Sequence, residues 1–255
     1  MENQHQLDLK GKTAIVTGAS KGIGRAIAES LAKNGANVIV SSRKQESVDE
    51  VAENIVNTGG KAIGIAAHVG NSEDIQNLVK QTLEKFNSID IIVNNAAINP
   101  TYGPIQDSTE DIFEKVMKVN VYGPLELAKL AYPSMKEKGG GSIINIASIE
   151  GKTPSTGLGL YSVSKAAMIS MTKVLAREWG RDNIRANVIL PGLVQTKFSQ
   201  ALINDEKTLK GVMYKQALNK LAEPDDISGL ALFLASDASS FCTGSEFVAD
   251  GGFTI

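Results

Sequence analysis

Tyr161-Ser162-Val163-Ser164-Lys165 sets a phenol and an ammonium four residues apart, a spacing that puts both on one face of a helix, about one turn apart. A positive charge beside a phenol favours the phenolate. A free tyrosine titrates near pKa ~10, too high for easy proton exchange at neutral pH. Tyr161 with Lys165 is therefore a candidate tuned acid/base. Ser148 ends an apolar run that reads as a strand and could hold the group on which the pair acts. The same spacing also describes an ordinary surface pair on a helix, so the elements around it have to decide.

A second constellation lies near the start of the chain. Thr17-Gly18-Ala19-Ser20-Lys21-Gly22-Ile23-Gly24 falls between a first strand, Thr13 to Val16, and a first helix, Ile23 to Lys33. Glycines at such a turn allow the tight bend, a close backbone approach to a pyrophosphate and helix-on-strand packing. The N-terminus of the new helix offers free N–H groups to phosphates. The spacing is G-x-x-x-G-x-G, and no Gly-Lys-Ser/Thr closes it, so it is not a P-loop. Gly18, Ser20, Lys21, Gly22, Ile23 and Gly24 are the expected dinucleotide contacts. After the second strand, an acidic residue would favour NAD and an arginine NADP. Here Val40-Ser41-Ser42-Arg43-Lys44 has no acid before Glu46. With Lys21 nearby, Ser42 and Arg43 favour the 2'-phosphate of NADP(H) over NAD(H), the alternative being that Arg43 and Lys21 are solvated surface residues.

Between and beyond these turns, β-branched runs alternate with helical patterns. Strands are expected at Val38 to Ser41, Lys61 to Ala67, Ile89 to Asn94, Ser142 to Ile146, Ala186 to Leu190 and Glu246 to Ala249. Helices are expected at Ser47 to Val56, Asp74 to Phe86, Glu110 to Lys136 with an interruption near Asn120 to Pro124, Tyr161 to Trp179, and Asp225 to Ala235. Such alternation implies an α/β fold with parallel strands and helical crossovers, whose strands are covered on both faces. The 255 residues suit one domain, and residues 193–224 read as a substrate-binding lid. The chain is 42% apolar with a formal net charge of -2 and has no basic cluster, which argues against nucleic-acid and membrane partners. Cys242 is its lone cysteine, so no internal disulfide can form. No metal site is expected. The polar start, the lack of a ~20-residue apolar run and an end at Phe253-Thr254-Ile255 without a peroxisomal tripeptide suggest a cytoplasmic protein.

Thr17-Gly18-x-x-x-Gly22-x-Gly24, Asn94-Asn95-Ala96-Ala97, Asn120, Ser148, Tyr161-x-x-x-Lys165 and Pro191-Gly192 occur in this order. The set resembles the short-chain dehydrogenase/reductase family from about Leu9 to Gly252. The resemblance implies a single-domain Rossmann-type doubly wound fold with a seven-stranded parallel sheet. It also implies hydride transfer between a nicotinamide and a carbonyl or alcohol carbon. By the family pattern Tyr161 is the acid/base and Ser148 binds the substrate oxygen. Lys165 lowers the phenol pKa and holds the nicotinamide ribose, and Asn120 supports a proton-relaying water. Asn94 and Ala96 would line the adenine and ribose side, with Asn95 in the sheet behind. Pro191, Gly192, Val194 and Thr196 would pack on the nicotinamide. Ser41 to Gln45, His68-Val69-Gly70 and Asn94 to Pro100 resemble the NADP-dependent carbonyl and retinal reductase branch. There His68, where most of the family has an aspartate, would contact adenine and Val69 would supply a backbone contact. The resemblance further implies a homotetramer, assembled through the helices bearing Asn120 and Tyr161 and through the C-terminal segment.

The expected activity is NADPH-dependent reduction of a ketone or aldehyde, a small-molecule carbonyl, to its alcohol. Ile98, Leu158, Leu160, Leu193, Phe198, Leu202, Met213 and Tyr214 are candidates for an apolar pocket wall. A 3-oxoacyl-thioester reductase is an alternative, served by Lys197, Lys207, Lys210 and Lys215 at the entrance. An NAD-linked alcohol dehydrogenase and a non-catalytic nucleotide-binding regulator are the others; the regulator could dispense with Ser148, Tyr161 and Lys165.

Overall fold

The computed structural model describes residues 7–255. Seven strands make one sheet: β1 (Thr13–Thr17), β2 (Asn37–Ser42), β3 (Lys61–Ala66), β4 (Ile91–Asn94), β5 (Gly141–Ile146), β6 (Ile184–Pro191) and β7 (Glu246–Ala249). Their order is β3-β2-β1-β4-β5-β6-β7, and every pairing is parallel. The helices are α1 (Gly22–Lys33), α2 (Gln45–Asn57), α3 (Ser72–Phe86), α4 (Glu110–Met117), α5 (Gly123–Glu137), α6 (Gly159–Trp179), α7 (Gln200–Asn204), α8 (Glu206–Lys215) and α9 (Asp225–Ala235).

Strand alternation divides the core. Ala14, Val16, Val38 and Val40 face a cluster completed by α1, α2 and α9. Ile15, Ile39 and Ile92 face the opposite cluster, built with α3, α5 and α6. Both faces of each central strand are thus buried, as their continuous apolar runs require. The sheet is a single-domain Rossmann fold. Strand order reverses between β1 and β4, and the crevice beyond the carboxyl ends of strands at such a point is where ligands bind.

Two differences from the sequence reading have physical causes. The helical stretch does not break at Asn120 to Pro124. Lys118–Tyr122 form a π turn, and flanking Met117 and Gly123 keep right-handed helical dihedrals, so α4 continues into α5. Pro124 sits in the first turn of α5, where proline is tolerated because its missing N–H costs little. A side chain on Gly123 would run into the Val69 carbonyl oxygen, which keeps this turn close to the loop after β3. The second difference lies between β6 and α9, where the structure has α7 and α8. Their amphipathic patterns are short, and the ends of the segment are tied by a Val194–Ala222 bridge and a 2.7 Å bond from Gln195 N–H to the Ala222 carbonyl.

Candidate active site

Beyond the carboxyl ends of the strands lies a cavity of about 540 Å³. One end is the turn between β1 and α1. Gly18 has φ +64°, and a Cβ there would come within 2.8 Å of the Asn95 amide and 2.9 Å of Ala96 Cα. Only glycine fits that approach. α1 starts after Lys21 without a side-chain cap, so its first N–H groups remain available to an anion. Ser20 Oγ donates to Ser42 Oγ at 3.2 Å. Lys21 and Arg43 line the cavity there, and among the described residues neither forms an ion pair. Unpaired cations, an uncapped helix start and a glycine-only approach fit the phosphates of a dinucleotide.

The turn is stitched to β4. Thr17 Oγ1 donates to the Val93 carbonyl and accepts from the N–H groups of Asn95 and Ala96 at 3.1 and 3.2 Å. Asn95 Nδ2 donates to the carbonyls of Thr17 and Gly18 at 3.0 and 3.2 Å. Asn95 and Ala96 therefore line the cavity. Asn94 does not: its amide is buried on the α6 side and donates to Asn145 Oδ1 at 2.9 Å. The structure thus brings Asn95, and not Asn94, to the cavity lining, because successive strand residues point to opposite faces. Gly22 and Gly24 also lie outside the lining. Gly22 abuts Thr196, and Gly24 packs against Asn95 and the Gly18 carbonyl.

His68 and Val69 line the cavity near Ala96. His68 Nδ1 accepts from Gly70 N–H at 2.9 Å, and His68 N–H donates to Asp74 Oδ2 at 2.8 Å. With Nδ1 accepting, a neutral ring carries its proton on Nε2. Pro191, Gly192, Val194 and Thr196 form a further stretch of the wall. Ser199, absent from the sequence reading, holds that wall: its hydroxyl accepts from Thr196 N–H at 3.1 Å and donates to the Val194 carbonyl.

Ser148, Tyr161 and Lys165 meet in the same cavity. Ser148 Oγ accepts from Glu150 N–H at 3.1 Å, leaving its own proton free to donate. Tyr161 stacks at a tilt on Phe198, with ring centroids 5.8 Å apart. Lys165 is 2% exposed, and its ammonium donates to the Ile146 carbonyl at 2.7 Å. Asn120 is fully buried and does not line the cavity. Its Oδ1 accepts from Ile98 N–H at 2.8 Å, and its Nδ2 donates to the Ile98 carbonyl at 2.9 Å and to Ser164 Oγ at 3.0 Å. Both amide protons are spent, so this side chain positions the loop after β4 against α6. Of the expected apolar wall, Ile98, Leu158, Leu193, Phe198 and Leu202 line the cavity. Leu160, Met213 and Tyr214 do not; Tyr214 is 92% exposed, and on α8 it is Val212 that turns inward. Tyr102, Glu150, Gln216 and Phe253 also contribute, from loops whose sequences carry no periodic signal.

The electrostatics depart from the expected pairing. Burial raises the Tyr161 pKa well above the ordinary phenol value; the Ser148 hydroxyl opposes this, and the negative charge at Glu150 adds to it. Burial lowers Lys165 to about 7. Lys165 Nζ sits 5.5 Å from the Tyr161 ring centroid but does not depress the phenol, because the environment that buries both groups penalises both charges. The unfolded chain therefore binds a proton at Lys165 between about pH 7 and 10.5 that the folded chain does not, and stability rises with pH across that window. The melting temperature of wild type should climb relative to that of Lys165→Met between pH 7 and 9.5, on the order of a few °C. Parallel pH profiles for the two proteins would contradict the lowered lysine.

Comparison with known proteins agrees with this geometry. A family model described as Enoyl-(Acyl carrier protein) reductase matches residues 18–254. The chain is 41% identical to rabbit (Oryctolagus cuniculus) dehydrogenase/reductase SDR family member 4 over 244 residues, 96% of this chain and 94% of that protein. A 7α-hydroxysteroid dehydrogenase complexed with NADH and 7-oxo glycochenodeoxycholic acid superposes with a TM-score of 0.95 at 32% identity, covering 99% of this chain and 98% of its own. A gluconate 5-dehydrogenase from Burkholderia cenocepacia J2315, in complex with NADP and tartrate, superposes with a TM-score of 0.93 at 29% identity, covering 98% and 97%. With its seven-stranded parallel sheet and its glycine turn opening on one cavity with Ser148, Tyr161 and Lys165, the chain belongs to the short-chain dehydrogenase/reductase family of oxidoreductases.

Proposed function

We propose that this protein is an NADPH-dependent reductase of ketone or aldehyde carbonyls. The observation that carries the proposal is a single cavity lined both by unpaired Lys21 and Arg43 and by Ser148, Tyr161 and Lys165. Lys21, Arg43, Ser20 and Ser42 would hold the adenosine 2'-phosphate, since two cations and hydroxyl donors suit a phosphate dianion. His68 would offer its Nε2–H to adenine, and Lys165 would hold the nicotinamide ribose. When bound, the nicotinamide supplies a hydride to the carbonyl carbon.

The residues of the chain do the rest. Ser148 donates its free O–H to the carbonyl oxygen and fixes its position. Tyr161, kept protonated by burial, gives that oxygen its proton as the carbon is reduced, so the product is an alcohol; the phenolate then regains a proton from solvent. Burial makes the phenol a weaker acid, but it keeps the proton in place at neutral pH, and the alkoxide left by hydride transfer is a stronger base than a phenolate and can take it. Residues 193–224, with Leu193, Phe198, Leu202 and Val212 turned inward, would act as the lid that excludes water. The apolar wall suits an apolar or aromatic substrate. Of the four lysines that would serve a thioester, Lys210 pairs with Glu206 and Lys215 lies over the Phe253 ring, while Lys197 lines the cavity and, like Lys207, forms no ion pair among the described residues, so this alternative keeps two free cations. A cytoplasmic setting and a homotetramer belong to the same proposal. The tetramer is supported by exposed Phe113, Tyr122, Val163 and Val174 on and between α4 and α6, and by exposed Phe241 and Val248 beside and on β7.

A panel of carbonyl substrates, followed by absorbance loss of NADPH and NADH, tests the activity. Turnover with NADPH is expected, and Tyr161→Phe should lose at least about 10²-fold in kcat while NADPH still binds; near-normal turnover in that variant would contradict the proton-donor role. Arg43→Asp should reverse the coenzyme preference, weakening NADPH by about 10–100-fold relative to NADH, in line with the loss of one charge-assisted phosphate contact; an unchanged ratio would assign the protein to NAD. Light scattering after size exclusion should give four times the chain mass, and a monomer would remove the assembly.

A further inference from the structure

Glu150 is the only carboxylate side chain among the residues lining the cavity. Its partners are all neutral. Oε1 accepts from Ser155 Oγ at 2.6 Å, and Oε2 accepts from Ser155 N–H at 2.7 Å and from Ser162 Oγ at 3.1 Å. Among the described residues it forms no ion pair; Lys152, two residues along, is engaged by Glu246. Its backbone N–H donates to Ser148 Oγ at 3.1 Å, and Ser162 directly follows Tyr161. The carboxylate therefore stands beside the two groups that would receive a substrate oxygen, and its charge reaches the phenol, whose pKa it helps raise. The cations lining the cavity are Lys21, Arg43, Lys165 and Lys197; Lys165 donates to the Ile146 carbonyl, and among the described residues none of the four forms an ion pair with Glu150.

A cavity arranged this way discriminates by charge. An anionic substrate group brought next to an uncompensated carboxylate is repelled, whereas a neutral or cationic one is not. We infer that Glu150 is a specificity-determining residue that excludes carboxylate-bearing carbonyl substrates and admits neutral and cationic ones of the same shape. This rests on the carbonyl-reductase proposal for the same site. It separates the protein from oxidoreductases that take oxo acids, whatever the apolar wall contributes.

The test uses three ketones of one shape: 4-acetylbenzoate, 4-acetylbenzamide and 4-(aminomethyl)acetophenone. Wild type should reduce the amide and the amine with kcat/KM on the order of tenfold above the acid, the size expected for a like charge one substrate length away at an interfacial dielectric. Calorimetric Kd values in the presence of NADP+ should follow the same order. Glu150→Gln keeps an acceptor for Ser155 and removes the charge, so the amide-to-acid ratio should fall toward one in both measurements. Ser155→Ala weakens the clamp but keeps the charge, so all three ketones should be affected alike and the ratio should stay as in wild type. A purely structural Glu150 would lower all three ketones together in Glu150→Gln, and that result would overturn the inference, as would a wild-type ratio near one. Charge-ordered binding without turnover would uphold the filter and remove the carbonyl-reductase proposal; turnover without charge order would do the reverse. Failure of all three to bind would remove both.

Discussion

The join between β1 and β4 holds the site together. These strands are neighbours where strand order reverses, so the chains leaving their carboxyl ends turn in different directions and open a crevice. An open crevice would leave backbone N–H and C=O groups without partners. Thr17 and Asn95 supply them, each spanning from one strand's exit to the other's. The close fit needs glycine at position 18, and the same fit brings the uncapped start of α1 to the cavity. This part of the cavity is thus a consequence of satisfying backbone groups at one strand junction.

The part of the cavity that holds Ser148, Tyr161 and Lys165 is positioned by a second buried polar system. Asn120 clamps Ile98 through both N–H and C=O and reaches Ser164, whose hydroxyl donates to the Tyr161 carbonyl. The π turn matters here because its extra residue rotates Asn120 inward without ending the helix. Asn94, Asn145 and Thr172 form a parallel chain from β4 through β5 to α6. Buried networks of this kind are costly when incomplete and rigid when complete. They hold α6, and with it Tyr161 and Lys165, against the loop after β4, whose Ile98 lines the cavity.

Burial sets the electrostatics of the pair. An ammonium beside a phenol in water would favour the phenolate. Inside this protein both groups are desolvated, the phenol is raised and Lys165 falls to about 7. Glu150, close by and unpaired, pushes the phenol in the same direction as burial. The result is a neutral phenol beside a lysine poised near neutrality.

Much was legible in the residues alone. Continuous β-branched runs such as Val38-Ile39-Val40 can be buried on both faces only in a parallel sheet, so fold class followed from pattern and spacing. Gly18, Tyr161 and Lys165 could be picked out because their chemistry is bound to a local offset, a turn or one helical turn, that folding preserves. Other assignments depended on direction. Whether Asn94 or Asn95 faces the cavity is a matter of strand phase at its last residue, and only the packed sheet sets it. Asn120 stood out as a residue, but its work as a clamp depends on Ile98 and Ser164, which lie far from it in sequence. Glu150, Ser199 and Phe253 come from loops without periodicity, so nothing local marks them. The lowered pKa of Lys165 needs the burial that α6 and β5 create together. Local spacing therefore determined the elements and the chemical repertoire, while long-range packing decided which side chains face the cavity and in which protonation state, because burial and orientation belong to the assembled sheet and not to any one segment.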